Sequence, residues 1–299
     1  NYLMAVCRNG NFYGLAAVDI TTGDFYATRI TWGNTRGKLM DEIAKYMPSE
    51  LVVNSEFNQD AEMLNQLKTR FNIYISVFDN CAFEYGTAKE TIKQHFQNIT
   101  LNISEYDISI NASGALLQYL DMTQKVNLSH IQNFNSYNIE EYMILDAATR
   151  RNLELTETMR EKSKRGSLLW VLDKTMTSMG GRLLRKWIEQ PLVNIGDIQM
   201  RLDAVNEFKN KFMARMEIRE LLRRVYDIER LMGKVVLGSV NCRDFIALKN
   251  SIGQIPYIKN IMTDFEAEYN RHCYEQLDSL EDVCQLIEAA IIDDPPVTI

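Results

Sequence analysis

The sequence predicts a multi-domain chain in which an α/β domain over residues 1–110 is followed by an all-α domain over residues 111–299. Three observations predict it. The first thirty residues alternate β-branched and aromatic runs with turn dipeptides. Short apolar runs then alternate with stripes at helical spacing. Beyond residue 111 helical spacing and helix-start signals dominate. At 299 residues the chain is long enough to build two separate cores.

The α/β half opens with residues 2–8 and 11–19, which flank Asn9-Gly10, the dipeptide that accepts positive φ at both central positions of a hairpin turn. Thr22-Gly23 then turns the chain into residues 24–30, so three antiparallel strands are expected in a row. A helix follows over 35–46, with Leu39, Ile43 and Met47 on one stripe and Pro48 after it. Leu51-Val52-Val53 is a wholly apolar run of the kind buried in a sheet. Residues 61–71 predict a helix, 73–76 a short strand and 87–96 another helix. Three meandering strands followed by helix–strand alternation is the order of a ribonuclease H-like fold.

The helical half is expected to begin at 111–125, with Leu116, Leu117 and Leu120 on one face. Residues 125–137 are polar and Asn-rich and predict an extended crossover around the bundle. Asp146 is placed to cap the next helix. From Gly180 the positions Leu183, Leu184, Trp187 and Ile188 share one face, Arg182, Arg185, Lys186 and Glu189 the other, and Pro191 stops the helix. Gly180 and Gly181 each cost about 1 kcal/mol against alanine, and three readings compete for that cost: close helix packing, which is favoured, a bend that moves, and simple tolerance. Asn194-Ile195-Gly196-Asp197 and Asn241-Cys242-Arg243-Asp244 have the pattern of capping boxes. Ile198, Leu202, Val205, Phe208 and Phe212 trace one stripe. A single helix from about Met216 should use Ile218, Leu221, Leu222, Val225 and Met232.

Composition narrows the function classes. The formal net charge of −7 argues against a general nucleic-acid coat. Charge is segregated, with 19 basic and 13 acidic residues over 145–234 against 4 and 11 over 235–299, which fits a DNA-facing patch or, as favoured here, oppositely charged helices packed as neighbours. Five scattered cysteines without metal-ligand spacing, no signal peptide and no run of 18 apolar residues fit a cytoplasmic chain. There is no Gly-x-x-x-x-Gly-Lys-Ser/Thr phosphate loop, no Gly-x-Ser-x-Gly and no Cys/His metal pattern. Neither a catalytic residue nor a metal or cofactor ligand is assigned. Arg150-Arg151 could touch phosphate or cross-link helices to acids such as Glu154 or Glu157, and the internal, helix-anchoring role is favoured because the flanking Leu145, Ala148 and Leu153 suggest burial. The basic run 160–165, with Lys162, Lys164 and Arg165, is expected as an exposed loop and a candidate DNA or partner contact.

The run Leu145-Asp146-Ala147-Ala148-Thr149-Arg150-Arg151-Asn152-Leu153-Glu154-Leu155, continued by residues 167–192 up to Trp187 and Gln190-Pro191-Leu192, resembles the opening of the lever domain of the MutS family of DNA mismatch-repair proteins. The signature is carried by Asp146, Arg150, Arg151, Asn152, Leu155, Gly180, Gly181, Arg182, Trp187 and Pro191. Arg201–Val205 and Val225–Leu231 extend it. The resemblance implies a connector domain of ribonuclease H-like fold over 1–110 and a lever domain over 111–299, cut before the clamp. It implies no enzyme activity for this segment, with ATP and Mg belonging to an ATPase domain elsewhere in a homodimeric parent. Its implied partners are MutL and, through the full-length protein, mismatched double-stranded DNA; no membrane is involved. Lever helices absent here would leave an apolar groove exposed. The family's mismatch-wedging Phe is followed two residues later by Glu, whereas Phe12 is followed by Gly14, so that motif is not present.

Two alternatives stand beside this. A ribonuclease H-like metal-dependent nuclease would need converging carboxylates, for which Asp19, Asp24, Glu50 and Glu56 are candidates. Asp19 and Asp24 border a turn, where acids are favoured for bonding turn amides. A stand-alone helical interaction module is the other.

Overall fold

Gly10, at φ +60°, closes β1 (Tyr2–Asn9) onto β2 (Phe12–Asp19), with Asn9 opposite Phe12. The two-residue loop is therefore Gly10-Asn11, one residue later than the Asn9-Gly10 expected, and glycine supplies its positive φ. The structure, a computed structural model, describes residues 2–96, 107–124 and 128–296. They fall into two compact units, Asn1–Asn152 and Leu153–Ile299.

In the first unit Gly23, at φ +77°, turns β2 into β3 (Asp24–Ile30), and both hairpins are antiparallel. Helix α1 (Thr35–Tyr46) leads to β4 (Glu50–Val53), which joins β1 in parallel. A short α2 (Ser55–Asn58) and α3 (Ala61–Phe71) precede β5 (Tyr74–Val77), parallel to β4, and α4 (Tyr85–His95) follows. The period-2 alternation of β1 divides two cores. Leu3, Ala5 and Cys7 lie in one, with Ala88 and Ile92 of α4. Met4 and Val6 lie in the other, with Leu39 and Ile43 of α1 and Met63 and Leu67 of α3.

The expected boundary at 110 is corrected by α5 (Ile108–Gln124). Its Leu116, Leu117 and Leu120 are buried in the sheet's first core, so it belongs to the α/β unit. Two glycines make the fit possible. A Cβ on Gly14 would stand 1.9 Å from the Ile108 carbonyl oxygen, and one on Gly114 would stand 2.3 Å from Ala88 Cα. The expected crossover over 125–137, of which 125–127 lie outside the described residues, is corrected too. Within it β6 (Asn133–Ser136) pairs in parallel with β3, giving a six-stranded sheet in the order β5-β4-β1-β2-β3-β6. Its Asn-rich sequence suits a sheet edge, where one side of the strand faces water. Helix α6 (Ala147–Asn152) closes the unit, its start capped by Asp146 as predicted.

The second unit is helical. It comprises α7 (Leu168–Leu172), α8 (Ser178–Glu189), α9 (Ile195–Asn210), α10 (Phe212–Leu222), α11 (Ile228–Val236), α12 (Cys242–Ile252), α13 (Ile255–Met262), α14 (Glu268–Gln276) and α15 (Glu281–Ala290). Ser167, Thr177, Asn194, Asp227 and Asn241 each accept an amide bond at a helix start. The box is reciprocal at Asn241 and Asp244, whereas at Asn194 the bond runs one way, from the Asp197 amide. The single helix expected from Met216 to Met232 is two, α10 and α11, because Asp227 starts a new helix. Two small cores hold the unit, one around Ile218, Ile258, Met262 and Phe265, the other around Leu231, Leu248, Ile252 and Ile287. The α9 stripe is largely open to solvent, with Leu202 at 55% and Val205 at 60% exposed.

Candidate functional site

The residues that single out the helical unit in sequence meet around α8. Thr177 caps it, accepting from the Gly180 amide at 3.0 Å, and Gln190 ends it before Pro191. Arg182 leaves α8 to grip the start of α11. Its two terminal nitrogens donate to the two Asp227 oxygens at 2.8 and 2.7 Å, and its Nε donates to Glu229 at 3.1 Å. Asp227 is itself the α11 cap, so one carboxylate both starts a helix and fixes it to another. Hydrogen bonding to Asp227 pushes the Arg182 guanidinium up against the opposing effect of burial, and the same bonds hold Asp227 below the usual carboxylate range.

A second tie lies one turn further along α8. The Trp187 ring lies 3.9 Å from the Arg201 guanidinium of α9 and packs edge-on against Tyr269 of α14, with ring centroids 6.3 Å apart. Together Arg182 and Trp187 connect α8 to three other helices. Gly180 and Gly181 do not serve the close helix packing expected of them. A Cβ there would meet Thr177 and Thr175, 3.1 and 3.4 Å away, in the loop that feeds α8. Replacing Arg182 with lysine keeps the charge but loses the two-pronged bond. Because the pair is part-exposed, the expected loss is about 1 kcal/mol, read as a lower thermal midpoint; an unchanged midpoint would show that the fork contributes nothing.

The other signature residues separate into local roles. Arg150 Nε donates to the Leu145 carbonyl at 2.9 Å, closing the entry to α6. Arg151, Asn152, Ala148 and Leu153 are exposed, whereas Leu145 is buried and Arg150 half-buried, so the buried setting expected for the arginine pair is found in part at Arg150 and corrected for Arg151. Leu155 is buried, and its carbonyl receives the Leu169 amide at 2.8 Å, seating α7. Residues 160–166 form the expected exposed loop, with Lys162 paired to Glu157 at 3.0 Å and Lys164 paired to Asp173. The Lys164 bond holds Asp173 at about 2.

The four candidate nuclease carboxylates are each engaged separately. Asp19 accepts from the Thr21 amide and hydroxyl at 2.9 and 2.6 Å, the turn role expected of it, and Asp24 accepts from Thr22 at 2.8 Å. Glu50 accepts from Tyr119 at 2.6 Å and from Ser76, while Glu56 accepts from the Gly10 amide at 2.8 Å, at the other end of β1. Among the described residues no three His, Cys, Asp or Glu side chains are grouped to hold a metal ion. No helix of the described residues is long and apolar enough to cross a membrane.

Sequence reading missed Glu207. Its carboxylate accepts from the Glu266 and Ala267 amides at 2.7 and 3.0 Å, from Asn270 Nδ2 at 2.9 Å and from Lys211 at 3.1 Å. It thereby caps α14, whose own cap residue, Ala267, has no side chain that can accept a hydrogen bond. No local pattern could reveal a cap supplied from 60 residues away. The expected pairing of basic middle and acidic tail is present in part, through Lys234–Asp244 at 2.8 Å.

Residues 1–132 match the family model for MutS domain II, and residues 148–299 match that for MutS domain III. The whole chain is 75% identical to the DNA mismatch repair protein MutS of Ruminiclostridium cellulolyticum and 62% identical to that of Acetivibrio thermocellus, covering 34% of each. It is 44% identical to the MutS of Lachnoclostridium phytofermentans, covering 32% of that protein. The chain thus spans about a third of the length of the relatives it matches. With both halves matched in order, at this identity over every residue, the chain belongs to the MutS family of DNA mismatch-repair proteins.

Proposed function

We propose that this chain is the connector and lever segment of a cytoplasmic DNA mismatch-repair protein, coupling an ATP-hydrolysing end to a DNA-holding end and contributing a surface for MutL. The observation that carries this reading is the use made of the family-like residues. Arg182 and Trp187 tie helices to one another, as a stiff transmitting element requires, instead of converging on a reacting atom. The α/β unit, with its antiparallel β1-β2-β3 meander and β4 and β5 added in parallel beyond β1, supports a ribonuclease H-like connector. ATP and Mg belong to an ATPase domain of the parent, and mismatched duplex is engaged through the full-length, homodimeric protein. The scattered hydrogen bonding of Asp19, Asp24, Glu50 and Glu56 speaks against the nuclease alternative.

Capture of MutL tests the partner role. Biolayer interferometry at low salt, with and without mismatched DNA, should show MutL binding to the folded chain without DNA. Binding to the full-length ATP-bound protein alone would remove the connector of this chain as a sufficient partner surface.

A further inference from the structure

The basic loop that the sequence singles out is not a uniform patch of free cations. Lys162 and Lys164 are committed to Glu157 and Asp173. The second of these pairs folds the loop against the segment before α8. The residues that follow each partner in the chain, Arg165 and Lys174, are both exposed. Arg219 of α10 reaches this segment, donating to the Lys174 carbonyl at 2.9 Å. Arg160, Arg165 and Lys174 are exposed and have no ion pair among the described residues. The loop is also preformed. Thr158 N donates to the Ser163 carbonyl at 2.9 Å, Lys162 N to the Thr158 carbonyl at 3.2 Å, and Met159 N to Glu154 at 2.7 Å. Cations held on an ordered loop lose less freedom on binding than cations on a floppy one.

We propose that Arg160, Arg165, Lys174 and Arg219 form a contact for the phosphate backbone of duplex DNA on the helical unit. This rests on the reading of the chain as part of a DNA-repair protein. The groups are cations, matched by charge to phosphate oxygens, and contacts of that kind position a duplex without reading its sequence. The acid on the same loop is Glu161, exposed beside Arg160, and it weakens the contact.

The test is fluorescence anisotropy of a labelled, perfectly matched 30-base-pair duplex against the 299-residue chain across a salt series. Three to four phosphate contacts give a slope of log affinity against log salt of about −3, hence roughly a 60-fold loss between 50 and 200 mM salt. Arg165→Ala and Lys174→Ala, whose side chains support no other element, should each make the slope shallower by about 1. Glu161→Gln should strengthen binding, and Lys68→Ala, exposed on the α/β unit, should change nothing. Absence of duplex binding at 50 mM salt overturns the proposal. So do unchanged slopes in both alanine variants, or an equal loss in Lys68→Ala. MutL capture addresses the α/β unit, so failure of this contact and failure of the repair reading are separate results.

Discussion

Alanine at Gly14 should unfold the α/β unit or come close to it. The added Cβ would stand 1.9 Å from the Ile108 carbonyl oxygen and 2.4 Å from its carbon, both main-chain atoms at the start of α5. A side chain could swing away, but a helix start cannot, so either β2 or α5 must shift by more than an ångström. Overpacking of this kind costs about 3 kcal/mol or more, against a total domain stability of roughly 5–15 kcal/mol. Urea melts followed by circular dichroism read the loss. Gly86→Ala is the matched control, since nothing lies within 4 Å of its Cβ and alanine favours the α4 helix by up to about 1 kcal/mol. If Gly14→Ala melts with the unaltered chain, α5 is not seated on β2 as described.

The second large effect is the acid sensitivity of the helical unit. Burial alone would raise the Glu207 carboxyl. The bonds from Asn270, the Glu266 and Ala267 amides and Lys211 outweigh it and bring the carboxyl to about 2, from 4.5. A carboxylate lowered by folding contributes stability above its unfolded pKa and loses that contribution as pH falls through the folded one. The window is therefore pH 4.5 down to 2, and the contribution at neutral pH is roughly 2 kcal/mol after allowance for its partial exposure. Glu207→Gln should lower the thermal midpoint at pH 7 and flatten its decline into that window. Asp173, Asp227 and Asp244 are lowered too, so both proteins weaken in acid, and the difference between them isolates Glu207. Equal declines would mean that the α14 cap is not held by charge.

The legible parts of this molecule are those governed by neighbouring residues. The antiparallel strands, α1, α3, the Asp146 cap and the Pro191 stop follow from turn chemistry, spacing and missing amide protons within a few positions. Long-range partners were not legible. The apolar face of α5 fits a helical bundle as well as a sheet, and only the room above Gly14 decides for the sheet. Residues 133–136 carry no apolar alternation, yet backbone pairing with β3 makes them a strand. In the candidate site, Trp187, Arg182, Asp227 and Glu229 all lay in family-like runs, but the pairing of Arg182 with the two acids was not visible, nor was Tyr269 as a partner of Trp187. The ion pairs of Lys162 and Lys164 likewise reassign which cations of the loop are available.

The late arrival of β6 has a consequence for the chain as it is made. Thr28 and Tyr137, which bond at 2.7 Å where β3 and β6 part, are 109 residues apart. At synthesis rates of about 5–20 residues per second, the outer edge of β3 waits on the order of ten seconds for its covering strand. Throughout that interval β3 presents unpaired main-chain groups, the template on which nascent chains join one another. Crowded polysomes, more than the finished protein, are therefore where this fold is exposed to error, and a holdase acting on the first 130 residues would meet its greatest need there.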